Sequence, residues 1–173
     1  GVISGIAIGK VMLVSQNIDG YLAAYDAGDS ESEIQKVHEA IRNVVADLEA
    51  SVKMLKAKES IDRAAIMEAH LMMAQDSSLE SAIIDKVTST GSAPRAILYA
   101  SEEYAAMFEG MDDAYLKERA VDIRDVGRRI AKRLLGVPEP EFGDEAVILC
   151  GHEIEPSVIA NIPSNKIGGV ILG

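Results

Sequence analysis

The chain has 173 residues, with 28 acidic against 17 basic side chains and a formal net charge of −11. So acidic a surface repels nucleic-acid phosphate and anionic lipid, which argues against both as partners and leaves a basic protein as the fitting kind. A hydrophobic share of 48% allows a sizeable core, and seven Met with two Phe and no Trp point to aliphatic helix packing rather than an aromatic-rich β core.

A single cysteine, Cys150, excludes an internal disulfide framework, and its apolar run 146–150 marks an inert buried thiol. No apolar stretch approaches the roughly 20 residues that span a bilayer. The first fourteen residues carry no basic leader and no small-residue cleavage site. The expectation is a cytoplasmic protein without a membrane partner.

Residues 1–14 read as one or two strands, with Ile6 and Ile8 alternating around Ala7 and bends at Gly5 and Gly9. Gly9-Lys10 invites a phosphate-loop reading that fails, because Ser4 occupies the upstream glycine position and Val11 the magnesium-binding Ser/Thr position. Turn signals follow at Asp19-Gly20 and Gly28-Asp29. Ser30 with Glu33 forms the pattern of a capping box, and Ile34, Val37, Ile41, Val44, Leu48, Val52 and Leu55 then keep helical spacing. His38 lies beside that stripe as a solvated or half-buried residue.

The stretch 60–75 differs in kind. Ile61, Ala64, Ala65, Ile66, Met67, Ala69, Leu71, Met72, Met73 and Ala74 place apolar groups around the whole circumference of a helix. Such a helix is either buried on all sides or shows a second face to a partner, and its spacing alone leaves both open. Ser77 with Glu80 repeats the capping-box pattern before a shorter helix with Leu79, Ile83 and Val87 inward, ended by Gly91. Ser92 and Pro94 open the next helix, which carries Ile97, Ser101, Tyr104 and Phe108 on one side.

The strongest helical signal is 111–136. Leu116, Ala120, Ile123, Gly127, Ile130 and Leu134 recur at steps of four and three. Asp112 and Asp113 stand at the amide-rich start, Arg128, Arg129, Lys132 and Arg133 at the carbonyl-rich end, and Gly136 with Pro138 stops it. Residues 137–141 are stiff and polar, a boundary. Beyond it, 146–150 and Ile167–Leu172 read as strands with a short helix at 156–161 between them, which suggests a parallel pair. The predicted architecture is an antiparallel four-helix-type bundle at 28–137, inserted into a small α/β domain made of 1–20 and 140–173. Gly173 follows an apolar run directly, so the chain is expected to continue.

No active site is legible in these residues. His38, His70 and His152 are far apart and lack cysteine partners. Glu68 and His70 stand two apart on a helix and do not share a face, and a lone His70 in an apolar helix is ordinarily a satisfied core residue. Gly168-Gly169 before Val170-Ile171-Leu172 fits a strand better than a phosphate cradle.

Three stretches together resemble the amino-terminal part of Enzyme I of the bacterial phosphoenolpyruvate-dependent sugar phosphotransferase system. They are Ser4-Gly5-Ile6-Ala7-Ile8-Gly9-Lys10, Glu68-Ala69-His70-Leu71-Met72, and Tyr115-Leu116-Lys117-Glu118-Arg119-Ala120-Val121-Asp122-Ile123-Arg124-Asp125-Val126-Gly127. The resemblance implies a phosphohistidine-type α/β domain holding an inserted helical domain. The parent would be a phosphoenolpyruvate-protein phosphotransferase that relays phosphoryl through a histidine to the carrier HPr. It assigns HPr contacts to Ala65, Glu68, His70, Met72, Met73, Leu79, Phe108, Tyr115, Leu116 and Arg119, and so favours the partner reading of 60–75. It places magnesium and a homodimer interface further along the parent, and implies no cofactor or metal in these residues.

Three positions depart from the family pattern. The Gly-Gly-x-Thr-Ser-His run that carries the family's nucleophile is absent, so none of the three histidines takes that role and the fragment alone is expected to be inactive. Ser77-Ser78 stand where relatives often carry acids, and Ile159 where they often carry a threonine, whose hydrogen bond an isoleucine cannot give. Two other readings stay open: the related domain of a multidomain phosphoryl-transfer protein for dihydroxyacetone kinase, and a non-catalytic helical interaction module.

Overall fold

Helical stripes fill the middle of the chain and short apolar runs its ends. The computed structural model describes residues 10–13, 18–139, 147–151 and 167–172. In chain order the elements are β1 (Lys10–Leu13), α1 (Asp19–Ala24), α2 (Ser30–Ala57), α3 (Ile61–Ala74), α4 (Ser77–Thr90), α5 (Ala93–Glu109), α6 (Ala114–Leu135), β2 (Val147–Gly151) and β3 (Ile167–Leu172). Contacts divide the chain into a helical unit, Ile18–Pro138, and a second unit made of Gly1–Asn17 with Glu139–Gly173. In the second unit the three strands pair in parallel in the order β1-β2-β3, with Val11 beside Ile148 and Cys150 beside Ile171. The helix expected at 156–161, Ile159 and the setting of the Cys150 thiol lie outside the described residues.

In the helical unit the apolar stripes face inward as their spacing requires. Val37, Val44 and Leu48 of α2, Ile83 and Val87 of α4, Ile97 of α5, and Val126 and Ile130 of α6 are all buried. Each such side chain contributes about 1.5–3 kcal/mol. α4 lies along the first half of α2, where His38 Nδ1 meets Glu80 Oε1 at 2.5 Å, and α3 lies along the second half, where Lys56 pairs with Glu68. Taken together, α3 and α4 make one rung interrupted at Gln75-Asp76, and with α2, α5 and α6 give the four-helix arrangement. The widest interface joins α5 to α6 rather than the two longest helices, α2 and α6.

Both capping boxes are corrected. Asp29, not Ser30, caps α2 by accepting from the Ser32 amide at 2.8 Å, and Asp76, not Ser77, caps α4 by accepting from the Ser78 amide at 2.8 Å. Aspartate caps as well as serine does, and each stands one residue earlier. Ser92, Asp113, Gly91 and Gly136 do terminate helices as expected, the two glycines at φ 79° and 71°, where a side chain would be strained. The six-residue α1 buries no side chain, and the pattern of its sequence reads as turns.

Freed from a cap, Glu33 is buried and bridges three elements. Its Oε1 accepts from the Ala93 amide at 3.1 Å, at the start of α5, and its Oε2 accepts from Tyr25 Oη at 2.9 Å and pairs with Lys36 Nζ at 3.2 Å. Burial opposes ionisation, yet the Ala93, Tyr25 and Lys36 bonds outweigh it and hold the carboxyl below its ordinary value. The α5 macrodipole favours the same negative charge.

Two predictions follow from these contacts. A Cβ at Gly127 would lie 2.2 Å from Ser101 Oγ and 2.4 Å from Ser101 Cβ. Overpacking of that kind costs about 1–3 kcal/mol, or occasionally more, against about 1 kcal/mol of helix propensity gained. Gly127→Ala should therefore lower stability in urea unfolding, and adding Ser101→Gly should recover part of the loss; an unchanged midpoint would contradict the close approach. Glu33→Gln should cost about 1–3 kcal/mol at neutral pH. Because the folded-state pKa is depressed, the contribution is complete above the ordinary glutamate value of about 4.3 and is lost as pH falls through the lower folded value. The stability gap between wild type and variant should thus close in acid, read from unfolding curves at stepped pH.

Candidate functional site

α3 buries one side and leaves the other open. Ala64, Met67, His70 and Ala74 point inward, whereas Ile61, Ala65, Ile66 and Met72 are exposed, Met72 to 70%. On a helical wheel Ile61, Ala65, Ala69 and Met72 form one outward stripe flanked by Glu68. The helix that is apolar all round is therefore two-faced, and its second face is open among the described residues.

The stripe continues at one end of the bundle. Met73 packs with Tyr104 and Phe108 over buried Ala105, Ala120 and Ile123, which brings the end of α3 to the end of α5 and the first turns of α6. The Tyr104 and Phe108 rings stand 5.6 Å apart, tilted by 56°. Asp113 accepts from the Tyr115 and Leu116 amides at 2.8 and 3.3 Å and so fixes how α6 begins. One turn on, Arg119 lays its guanidinium over the exposed Tyr115 ring at 5.0 Å and donates to Tyr115 Oη. Between α5 and α6, Arg124 is held by Glu102 through two bonds of 2.8 Å and by Glu109. Those bonds hold the Glu102 carboxyl below its ordinary value and keep Arg124 protonated.

Of the residues assigned by resemblance, Ala65, Met72 and Tyr115 are exposed, while Glu68, Met73, Phe108, Leu116 and Arg119 are half-buried. His70 and Leu79 are corrected as direct contacts, since they are 0% and 3% exposed. Leu79 belongs to the core between α4 and its neighbours. His70 supports the surface from beneath: its Nε2 lies 3.3 Å from Asp122 Oδ1 and 4.0 Å from the buried Asp125 Oδ2. A carboxylate only accepts, so Nε2 carries the proton, and Nδ1 has no hydrogen-bond partner among the described residues. Met107 and Met111, exposed beside Phe108, escaped the sequence reading because neither lies on a recognised stripe.

Among the described residues no three His, Cys, Asp or Glu side chains converge as a metal site. No helix among the described residues is long and apolar enough to cross a membrane.

The described helices thus present an open apolar flank on α3 beside the start of α6. Residues 1–119 match the family described as PEP-utilising enzyme, N-terminal. The chain belongs to this family. Similar relatives are the phosphoenolpyruvate-protein phosphotransferases of Staphylococcus epidermidis, 32% identical over 170 residues, and of Latilactobacillus sakei, 34% identical over 162 residues. These alignments cover 96% and 91% of this chain but only 30% and 28% of the relatives. The chain thus spans less than a third of the relatives' length. A solution structure of an Enzyme I (nEIt) protein superposes with a TM-score of 0.77 at 30% identity, covering 96% of this chain and 68% of that one. The N-terminal domain of Enzyme 1 - Nitrogen shares the fold, with a TM-score of 0.66 at 24% identity over 97% of this chain and 70% of that one.

Support and surface should separate by stability. His70→Ala removes a fully buried side chain and should cost about 2–4 kcal/mol in urea unfolding. Glu68→Ala breaks only a solvent-exposed pair with Lys56 and should cost less than about 1 kcal/mol. Equal losses would place Glu68 in the core or His70 on the surface.

Proposed function

We propose that this chain is the amino-terminal docking part of a phosphoenolpyruvate-protein phosphotransferase, and that it binds the phosphocarrier HPr through the outward stripe of α3 and the start of α6. The observation that carries the reading is the open apolar flank Ile61, Ala65 and Met72 on a helix whose opposite side is buried. A surface of this make-up suits a carrier that is basic around its own histidine. Methionine adapts its shape to an apolar partner, and Glu68 with the chain's net charge of −11 steers a cation. The similar phosphoenolpyruvate-protein phosphotransferases and the family membership support the same parent activity.

In this reading the parent takes phosphoryl from phosphoenolpyruvate onto a histidine and passes it to HPr. Residues 28–137 form the docking domain, and 1–20 with 140–173 contribute to a phosphohistidine domain. We assign no phosphoryl acceptor within these residues, because none of the three histidines stands in a Gly-Gly-x-Thr-Ser-His run and His70 is buried. Magnesium binding and dimerisation belong to later parts of the parent, and the protein is placed in the cytoplasm.

Titration of the 15N-labelled chain with HPr should move amide resonances of residues 60–79 and 108–119 and few others; unmoved spectra at millimolar HPr would overturn the reading. Glu68→Lys sets a second cation against Lys56 and should slow association and flatten its salt dependence, read by stopped-flow at two ionic strengths. Phosphorylated HPr should leave no acid-labile phosphate on the chain.

A further inference from the structure

Methionine is among the side chains most often buried, so its placement here is informative. Met67 is fully enclosed and Met73 half-buried, but Met72, Met107 and Met111 are 70%, 61% and 46% exposed. All three stand in segments that meet at the end of the α4–α5 hairpin away from Gly91. α4 and α5 form a hairpin about Gly91-Ser92 with arms of similar length, so the α3–α4 junction after Met72-Met73 and the Met107 turn of α5 lie at the same end. Met111 sits in the α5–α6 connection, and Met73 joins them through Tyr104 and Phe108.

A thioether held in the open is chemically different from one in a core. Its sulfur lone pair can attack the distal oxygen of a hydroperoxide. The S–O bond forms as the O–O bond breaks, a proton passes to the departing oxygen, and water (or an alcohol) leaves. Sulfur loses two electrons and the peroxide gains them. The product sulfoxide is polar where the thioether was apolar, and the change is reversible by dedicated reductases. Met72 and Met107 are open to solvent at 70% and 61%, whereas Met67, at 0%, is closed to any peroxide while the unit is folded.

We propose that Met72 and Met107 are oxidation sites, and that their sulfoxides loosen carrier docking, making this surface responsive to peroxide. The proposal rests on the docking reading above and adds regulation to it. In that state two thioethers that are 70% and 61% exposed become hydrated dipoles, which a partner must strip of water before it can seat. Oxidation reports on the surface without unfolding the core, because the two sulfurs support none of the buried packing.

The test is limited oxidation of the whole chain with hydrogen peroxide, mapped residue by residue by mass spectrometry, followed by calorimetric titration with HPr. Met72 and Met107 should gain oxygen before Met73 and well before Met67, and the dissociation constant should rise about tenfold or more, a hot-spot-sized loss. The Met72→Leu/Met107→Leu double variant keeps apolar volume without a thioether, so its own affinity for HPr, whatever its starting value, should be the same before and after peroxide treatment. Oxidation of Met67 at the same rate, affinity unchanged at full sulfoxide, or a double variant that responds like wild type would each overturn the proposal. If the unoxidised chain fails to bind HPr at all, the docking reading falls and this one with it; normal binding that ignores oxidation removes this one alone.

Discussion

Gly127 of α6 faces Ser101 of α5 so closely that there is no room for a Cβ between them. That contact lets the two helices run side by side along most of their length and makes theirs the widest helix interface. Ser101 turns its hydroxyl back to the Ile97 carbonyl at 2.6 Å, which satisfies the polar group inside the seam. Arg124 clamps the same pair from the solvent side, but an exposed ion pair contributes at most about 1 kcal/mol, so packing decides the geometry. With α5 and α6 so fixed, Phe108, Tyr115 and Arg119 have one possible place, at the end of the pair, and α3 is laid against them.

α3 is too short to be stable alone; isolated helices under about 12–15 residues are marginal in water, and it has 14. It is held by what it buries against α2 and α6, and its outward stripe takes no part in that. The open stripe is thus not a by-product of the core but a surface the core does not need. The chain belongs to a family described as PEP-utilising enzyme, N-terminal, and its helical unit leaves this apolar flank open among the described residues.

The stripes of α2, α5 and α6 were legible from spacing because one face of each carries nearly all the apolar residues. Gly127 was visible as a stripe member, although its reason, the Ser101 seam, needs the neighbouring helix. The caps were misread by one residue because Asp29-Ser30 and Asp76-Ser77 each offer two competent oxygens, and local pattern does not choose between them. Glu33 fitted a local role so well that its true partner, the Ala93 amide sixty positions away in sequence, had no signal at all. In the candidate site, the spacing of α3 shows an apolar circumference but not which arc is covered, since that depends on its neighbours: Ala65, Met72 and Tyr115 are exposed, whereas His70 and Leu79 are enclosed.

A rod with oily side chains on every side has no hydrophobic reason to sit at one rotation about its own axis, since rolling it trades one greasy face for another. The imidazole of His70, set opposite Asp122 and Asp125, is the buried polar feature on α3 that makes those rotations unequal. A roll by a single residue would swing the ring about 100° and take it away from both acids. The buried histidine therefore acts as a key in a slot: it adds little adhesion, but it determines which methionine looks out.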